Sequence, residues 1–413
     1  MKYGCIGEHL KHSFSKEIHN ALTDYEYEIR EIPKDGLDEF MRAKDFTAIN
    51  VTIPYKEAVI PYLDSIDEHA QAIGAVNTIV NRNGRLFGYN TDFYGMSKLI
   101  RKAGVEIEGK KVAILGSGGT GKTAFAVATS LGAKEILRIS RKHTDTTLSY
   151  DELYALHTDT EVVINTTPLG MFPDNSSKPI DASKLPKLCG VIDAVYNPLR
   201  TILVSEAQDF GIAAEGGLYM LVAQAVRASE IFTDGKFDDG ELDRVFLKVM
   251  KEKENIVLIG MPSSGKSTVG KIIAERLGRE FIDTDSLIVE DAREDIPTIF
   301  ANRGESEFRS IERRAVCRAS AKTGAVIATG GGAVLSPENV KALRQNGRIF
   351  FIDRPLEALM PTEDRPLARS ADDIRALYEK RYRIYCEAAD VIIKADKDAA
   401  LVAEEIINES LHN

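Results

Sequence analysis

The chain has 413 residues, of which 44% are hydrophobic and 28% charged, with a formal net charge of −10. At roughly 100 to 200 residues per domain it holds two or three globular units, and these proportions exclude a disordered or fibrous protein. The acidic balance excludes a general cationic surface for a nucleic acid or an anionic membrane. We therefore expect small-molecule substrates as its partners.

The spacing of the cysteines and the length of the apolar runs indicate the cellular compartment. The cysteines are scattered without a C-x-x-C pair, which is typical of reduced thiols. No run of about 18 apolar residues occurs, and His and Lys interrupt the opening MKYGCIGEHLKHSFS, so neither a membrane helix nor a signal peptide is predicted. We expect a cytoplasmic protein.

Three stretches read as a strand that runs into a glycine turn and then a helix. They are KYGCIG from Lys2, KVAILG from Lys111 and NIVLIG from Asn255. Strands that alternate with helices predict an α/β fold with parallel, doubly wound sheets. Apolar residues at helical spacing from Leu242 to Val249 predict a closing helix ahead of a short linker.

Two glycine-rich loops match the pattern G-x-x-x-x-G-K-[ST]. They are GSGGTGKT at Gly116–Thr123 and GMPSSGKS at Gly260–Ser267. The first also fits G-x-G-x-x-G through Gly116, Gly118 and Gly121, a pattern that lets a pyrophosphate approach a helix N-terminus. Because either loop could take a nucleotide, the residues that follow must decide its ligand.

The strand after the first loop indicates NADP. This strand, EILRIS, ends at Ser140 and is followed by Arg141 and Lys142. At this position an acidic residue would accept the ribose 2′-hydroxyl of NAD, whereas a basic residue accommodates the 2′-phosphate of NADP. We therefore predict that the first loop binds NADPH.

The strand after the second loop indicates ATP and magnesium. This strand, EFIDTD, supplies Asp283 and Asp285 where a small-molecule kinase needs a carboxylate to hold Mg²⁺. In such a site Lys266 contacts the terminal phosphates, and Ser267 and Asp283 bind Mg²⁺. The predicted ATP-binding residues of this loop are Ser263, Ser264, Gly265, Lys266, Ser267 and Thr268.

Polar clusters ahead of the first loop are typical of substrate loops. They read HSFSKEIHN, NVTIPYKE, IGAVNTI and GYNTDFYG. Reducing a ketone needs a proton donor at the oxygen, so a lysine with a nearby carboxylate would serve, and Lys56 and Asp92 are the candidates. A lone lysine and a lone aspartate in turns are usually solvated surface, and spacing alone does not decide between the two interpretations.

These clusters and several later segments resemble shikimate dehydrogenase over roughly the first 250 residues. The matching segments, in family order, are Ser13 with Ser15, NVTIPYK from Asn50, GAVNT from Gly74, NTD from Asn90, NTTPLGM from Asn165, DAVYNPLRT from Asp193 and GGLYMLVAQA from Gly216. The resemblance implies reduction of 3-dehydroshikimate to shikimate by NADPH. It implies Lys56 as proton donor and Asp92 as the group that holds its orientation and charge.

The same resemblance implies which residues bind the two ligands. The substrate-binding residues are Ser13 and Ser15 for the carboxylate, together with Thr52, Lys56, Asn77, Asp92 and Gln224. The NADP-binding residues are Gly116, Gly118, Gly119, Thr120, Gly121, Ser140, Arg141, Lys142, Thr166 and Gly217. Hydroxyl and amide groups suit a polyhydroxylated acid because they both donate and accept hydrogen bonds.

The last part of the chain, from about residue 254 to the end, resembles shikimate kinase. In family order it has the phosphate loop, D-T-D, F-R-x-x-E, three glycines, R-P-L and R-x-x-x-Y. The resemblance implies that Glu312 orients an arginine and that Arg365 reaches from a lid towards the phosphates of ATP. The implied shikimate-binding residues are Asp285, Arg309, Gly331, Gly332 and Arg381.

The sequence thus predicts a bifunctional shikimate-pathway enzyme whose catalytic residues are Lys56, Asp92, Lys266 and Arg365. Its expected parts are a substrate-binding lobe at 1–101 closed by helices at 219–250, a Rossmann lobe at 102–218, a linker at 251–255 and a P-loop kinase domain at 256–413. Two alternatives stay open. One is an NAD-dependent quinate or shikimate dehydrogenase joined to a small-molecule kinase, which Arg141 and Lys142 oppose. The other is a chain in which one half is catalytically silent and regulatory.

Overall fold

The computed structural model describes residues 1–8, 10, 14–238, 240–360 and 370–412. The chain forms two compact units, Met1–Val249 and Met250–Asn413. No helix among these described residues is long and apolar enough to cross a membrane.

The first unit begins with a six-stranded sheet in the order β2-β1-β3-β5-β6-β4. Its strands are β1 (Tyr3–Gly7), β2 (Tyr27–Glu31), β3 (Ala48–Val51), β4 (Ser65–Ile66), β5 (Thr78–Arg82) and β6 (Arg85–Tyr89). The helices of this part are α1 (Ser15–Leu22), α2 (Leu37–Ala43), α3 (Glu68–Ile73) and α4 (Thr91–Lys102). β5 runs antiparallel to β3, which sends the chain back and places the start of β5 beside the end of β3.

A second, all-parallel sheet follows in the order β11-β10-β9-β7-β8. Its strands are β7 (Lys111–Leu115), β8 (Glu135–Ile139), β9 (Val162–Asn165), β10 (Gly190–Asp193) and β11 (Ala213–Glu215). The helices are α5 (Gly119–Ser130), α6 (Tyr150–Leu156), α7 (Ile202–Asp209), α8 (Leu218–Thr233) and α9 (Glu241–Lys253). The central strands β7 and β9 are almost entirely buried and apolar, as expected of a sheet with helices on both faces.

The second unit is a parallel sheet in the order β13-β14-β12-β15-β16. Its strands are β12 (Asn255–Ile259), β13 (Phe281–Asp283), β14 (Val326–Ala328), β15 (Gly347–Asp353) and β16 (Val391–Lys394). The helices are α10 (Lys266–Leu277), α11 (Thr284–Ala292), α12 (Ile296–Ser320), α13 (Pro337–Asn346), α14 (Ala371–Ala388) and α15 (Ala399–His412). The predicted α/β class with parallel sheets is confirmed.

The junction between the predicted domains differs from the linker expected at 251–255. α9 continues to Lys253 and β12 begins at Asn255, so Glu254 alone lies between them. The reason is a distant side chain: the Arg279 guanidinium donates to the carbonyl oxygens of Lys251 and Glu254 at 2.7 and 2.9 Å. These bonds hold the end of the helix in an ordered conformation.

Candidate active sites

Lys56 and Asp92 meet in the first unit although 36 residues separate them. Lys56 follows β3, and Asp92 lies in the first turn of α4, which Asn90 caps by accepting from the Phe93 amide. Lys56 Nζ donates to Asp92 Oδ2 at 2.5 Å, and the two side chains are only 16% and 9% exposed. The arrangement is a largely desolvated ion pair, unlike the solvated surface that isolated residues in turns usually form.

The second oxygen of Asp92 belongs to a buried polar network. Asn77 Nδ2 donates to Asp92 Oδ1 at 2.9 Å, and Asn77 Oδ1 accepts from the Thr91 amide at 2.8 Å. The Thr91 hydroxyl in turn donates to Gln224 Oε1 on α8 at 3.4 Å. The structure therefore joins the predicted residues Lys56, Asn77, Asp92 and Gln224 into one cluster.

Four further residues, Tyr27, Asn50, Thr78 and His19, extend this network, and the sequence analysis gave none of them a role. Tyr27 OH donates to Asn50 Oδ1 at 2.7 Å, and Asn50 Nδ2 donates to Thr78 Oγ1 at 3.1 Å. His19 stacks on the Tyr27 ring with centroids 3.9 Å apart, and burial lowers the pKa of His19 to about 3. The imidazole is therefore neutral. The available signal was a polar residue, Asn50, inside an otherwise apolar buried strand.

Of the remaining predicted substrate residues, the structure describes Ser15 and Thr52. Ser15 is the first residue of α1. Thr52 follows β3, is partly exposed, and donates its amide to the Ile6 carbonyl oxygen at 3.0 Å. Ser13 lies outside the described residues.

The first glycine-rich loop joins β7 to α5, as its pattern predicts. Gly116 has φ +104°, and a Cβ added to Gly121 would lie 2.4 Å from the Gly116 carbonyl oxygen. Only glycine therefore fits at position 121. A Cβ added to Gly119 would lie 3.8 Å from Lys56 Cδ, and Lys122 Nζ pairs with Glu57 at 2.7 Å. The loop thus runs beside the Lys56–Asp92 pair.

The other predicted NADP residues lie at the carboxyl ends of the parallel strands, where nucleotides bind in such sheets. Ser140 follows β8 and donates to the Lys142 carbonyl oxygen at 2.5 Å, which closes a turn that leaves Arg141 and Lys142 exposed. Thr166 follows β9 and donates to the Leu115 carbonyl oxygen at 2.6 Å. Gly217 precedes α8, Gly118 precedes α5, and Thr120 lies in the first turn of α5.

Asp193, at the end of β10, is a buried carboxyl group that received no role from the sequence. It accepts from Asn165 Nδ2 at 2.9 Å, the Val195 amide at 3.0 Å and the Thr201 hydroxyl at 2.7 Å. Burial outweighs these bonds and raises the pKa of Asp193 to about 6. The group therefore titrates in a mildly acidic range.

Asp193→Asn should alter how stability depends on pH. Because the pKa is raised from 3.8 to about 6, the folded state holds more protons than the unfolded state between those values, and the free energy of unfolding falls as pH rises through this window. In the variant this fall in the free energy of unfolding, which amounts to up to about 3 kcal/mol, should be absent.

Thermal midpoints measured from pH 4 to 7 show the difference, with the exposed Asp24→Asn as control. If the thermal midpoints of wild type and Asp193→Asn changed equally with pH, Asp193 would not be the group with the raised pKa.

In the second unit, the second glycine-rich loop joins β12 to α10. Ser263 and Gly265 have φ +64° and +93°, which bends the loop around its own lysine. Lys266 Nζ donates to the carbonyl oxygens of Gly260 and Met261 at 3.0 and 2.8 Å and lies 3.5 Å from Ser264 Oγ. Thr268, one turn into α10, is exposed. The loop therefore surrounds a buried ammonium group at the start of a helix, an arrangement suited to phosphate.

A hydroxyl and a carboxylate converge beside this lysine. Ser267 Oγ donates to Asp283 Oδ2 at 2.7 Å, and Asp283 Oδ1 accepts from the Asp285 amide at 3.0 Å. Parallel pairing of β13 with β14, and of β14 with β12, brings these strand ends together. Oxygen ligands of this kind fit Mg²⁺, which prefers few protein carboxylates next to substrate phosphates.

The predicted acceptor residues also come together, at the end of β14. A Cβ added to Gly330 would lie 2.4 Å from Asp285 Oδ1, and one added to Gly332 would lie 2.2 Å from Arg309 Nη1. Arg381 Nη1 donates to the Gly331 carbonyl oxygen at 3.1 Å. The bare glycine backbone is thus enclosed by one carboxylate and two guanidinium groups.

Two residues support this acceptor cluster. Glu312 is buried and accepts from Arg309 Nη1 at 2.8 Å. Burial raises the pKa of the Glu312 carboxyl, and the Arg309 charge opposes that shift. Tyr385, which received no role from the sequence beyond its place in R-x-x-x-Y, donates to the Gly331 carbonyl oxygen at 2.5 Å. Arg365 and most of its lid segment lie outside the described residues.

Together, the folds and sites define the class of the chain: an oxidoreductase with a dinucleotide-binding sheet, followed by a phosphate-loop kinase. Sequence models of two families match it. The shikimate dehydrogenase substrate binding domain matches residues 5–79, and shikimate kinase matches residues 262–411.

Curated relatives agree over the first unit. The shikimate dehydrogenase (NADP(+)) of Clostridium perfringens strain SM101 is 38% identical over 262 residues, which are 59% of this chain and 96% of the relative. That of Halothermothrix orenii is 36% identical over 60% of this chain and 94% of the relative. The chain belongs to the shikimate dehydrogenase family, and the kinase match makes it a bifunctional shikimate-pathway enzyme.

Solved structures agree as well. Shikimate dehydrogenase 1 from Peptoclostridium difficile is 33% identical with a TM-score of 0.56, and the match covers 60% of this chain and 98% of that one. A chorismate mutase/shikimate 5-dehydrogenase fusion protein from Clostridium acetobutylicum is 35% identical with a TM-score of 0.57, covering 60% and 97%. The predicted families, fold class and pair of enzyme activities are therefore confirmed.

Proposed function

We propose that the first unit reduces 3-dehydroshikimate to shikimate with NADPH and that the second unit phosphorylates the 3-hydroxyl of shikimate with ATP. One observation carries the first assignment. The Lys56–Asp92 ion pair lies against the dinucleotide loop, because Lys56 Cδ is 3.8 Å from the position of a Cβ on Gly119. A proton donor beside a hydride site is what carbonyl reduction requires.

In the proposed reduction, NADPH supplies the hydride to the carbonyl carbon. Lys56 donates its proton to the carbonyl oxygen, and Asp92 holds the ammonium group in place through the 2.5 Å bond. Asn77 and Gln224, fixed by their bonds in the same network, and Thr52 bind the ring hydroxyls. Ser13 and Ser15 bind the carboxylate.

The preference for NADPH is proposed to depend mainly on Arg141. A charge-assisted bond to the 2′-phosphate has no counterpart in NADH, and such bonds contribute roughly 1.5 to 3 kcal/mol, or about 10- to 150-fold in affinity. Arg141→Ala should therefore weaken NADPH by about that factor and NADH only slightly, as measured by the KM for each cofactor. Arg138→Ala changes an arginine of the preceding strand β8, whose guanidinium lies 5.9 Å from the Phe125 ring centre, and is the control. An equal rise in KM for both cofactors would show that Arg141 supports the fold and does not bind the 2′-phosphate.

In the proposed phosphoryl transfer, catalysis is positioning and charge neutralisation. Lys266 contacts the terminal phosphates, and Ser267 and Asp283 hold Mg²⁺, which supplies further positive charge to the phosphate oxygens. Asp285 binds the acceptor hydroxyl. Arg309, held by Glu312, and Arg381, held at Gly331, bind the carboxylate, while the backbone of Gly331 and Gly332 lies along the ring. Arg365 is proposed to reach the phosphates from its lid.

Product analysis tests both halves at once. Incubation of the whole chain with 3-dehydroshikimate, NADPH, ATP and Mg²⁺ should yield shikimate 3-phosphate. Without ATP the product should be shikimate, and without NADPH neither product should form. Absence of NADPH oxidation would refute the first assignment. Accumulation of shikimate in the complete mixture would show that the kinase half is silent.

A further inference from the structure

Arg354 lies at the carboxyl end of the kinase sheet, in a position that no sequence motif assigned to the site. It follows β15 directly, and β15 pairs in parallel with β12, the strand that leads into the phosphate loop. The register places Phe351 opposite Ile259, the last residue of β12, so β15 continues to Asp353 alongside the start of the phosphate loop. Arg354 therefore enters the site from the side of the loop opposite to β14 and its acceptor glycines.

The guanidinium group of Arg354 reaches the phosphate loop itself. A Cβ added to Gly265 would lie 3.8 Å from Arg354 Nη1, and Gly265 immediately precedes Lys266. The side chain of Arg354 is only partly exposed. A fixed cation thus stands next to the loop whose amides and lysine are arranged for phosphate.

Arg354 has no acidic partner among the residues that the structure describes. Its Nε is buried without a hydrogen-bond partner. The adjacent carboxylate of Asp353 is already committed, since it accepts from Lys394 at 2.6 Å and from Tyr382 at 3.3 Å. By contrast, the site arginine Arg309 is paired with Glu312. A buried donor of this kind is costly unless a ligand satisfies it.

We propose that Arg354 binds the phosphate chain of the nucleotide, as a second cation beside Lys266. A guanidinium fork matches phosphate oxygens with two parallel bonds, whereas an ammonium group acts as a point charge. Because Arg354 directly follows the buried strand β15, its backbone is in place before the nucleotide binds. The assignment rests on the proposed kinase function of this unit.

The test compares the binding of two probes, ADP and inorganic tripolyphosphate, to the whole chain by calorimetry. Arg354→Gln should weaken both probes by a similar factor of about 10 to 150, the ratio expected for a charge-assisted bond. Arg383→Gln, which makes the same change at an exposed arginine paired with Glu387, should leave both affinities within twofold. Reductase turnover should be unchanged in each variant.

Three outcomes would overturn the proposal or separate it from the kinase assignment. Loss of ADP affinity with unchanged tripolyphosphate affinity would mean that Arg354 contacts the base or ribose, and unchanged affinity for both would remove it from the site. If Arg354→Gln lowers the melting temperature, Arg354→Met, which keeps the apolar stem, gives the same comparison. Wild-type chain that binds both probes without phosphorylating shikimate would refute the proposed kinase reaction while leaving the phosphate contact in place.

Discussion

Lys56→Ala should lower the turnover of 3-dehydroshikimate reduction by about 10²- to 10⁴-fold, the usual cost of losing a positioned proton donor. The ammonium group is held 2.5 Å from Asp92 Oδ2 beside the dinucleotide loop, and alanine can neither donate a proton nor balance that carboxylate. The measurement is NADPH oxidation at saturating substrate. Kinase turnover of the same preparation should be unchanged, because the substituted residue lies in the other compact unit.

Lys134→Ala, an exposed change in the same unit, is the control for a general loss of folded protein. Reductase turnover near the wild-type value in Lys56→Ala would show that another group supplies the proton. Loss of kinase turnover along with reductase turnover would show instead that the substitution damages the whole chain.

Lys266→Ala should strongly lower the turnover of shikimate phosphorylation and leave reduction intact. The buried ammonium group is the positive charge enclosed by the phosphate loop, and removal of one preorganised electrostatic contact commonly costs about 10²- to 10³-fold in turnover. ADP formation with shikimate as acceptor measures the effect. Lys271→Ala changes an exposed lysine on the same helix, 5.9 Å from the Phe281 ring centre, and should retain full activity. A phosphorylation rate in Lys266→Ala equal to that of the control would refute the role of this lysine.

The elements that sequence predicts best are those whose pattern is local. Each glycine-rich loop lies between a buried strand and a helix, so strand, turn and helix N-terminus follow one another within a few residues. Apolar residues at helical spacing likewise predicted α9, and Leu242, Val245, Phe246 and Val249 are all buried. Short-range patterns suffice in these places because a few consecutive residues form the whole of each element.

The pairing of Lys56 with Asp92 required more than spacing. Taken alone, each was more readily interpreted as solvated surface, and the resemblance to a family supplied the pairing. The physical cause is the antiparallel return of β5 beside β3, which also brings Asn77 within 2.9 Å of Asp92. Asn50 gave only a weak signal, a polar residue inside an apolar strand.

The amino-acid sequence was thus sufficient to predict the α/β class, the two families, their order along the chain and the positions of both glycine-rich loops. Tertiary structure alone decided the extent of α9, the buried carboxyl of Asp193 and the position of Arg354. Arg279 holds the carbonyl oxygens at the end of α9 from 25 or more residues away. Arg354 meets Gly265 because β15 pairs with β12. Contacts between such distant segments depend on the order of the strands in the sheet and on burial, and local sequence patterns predict neither.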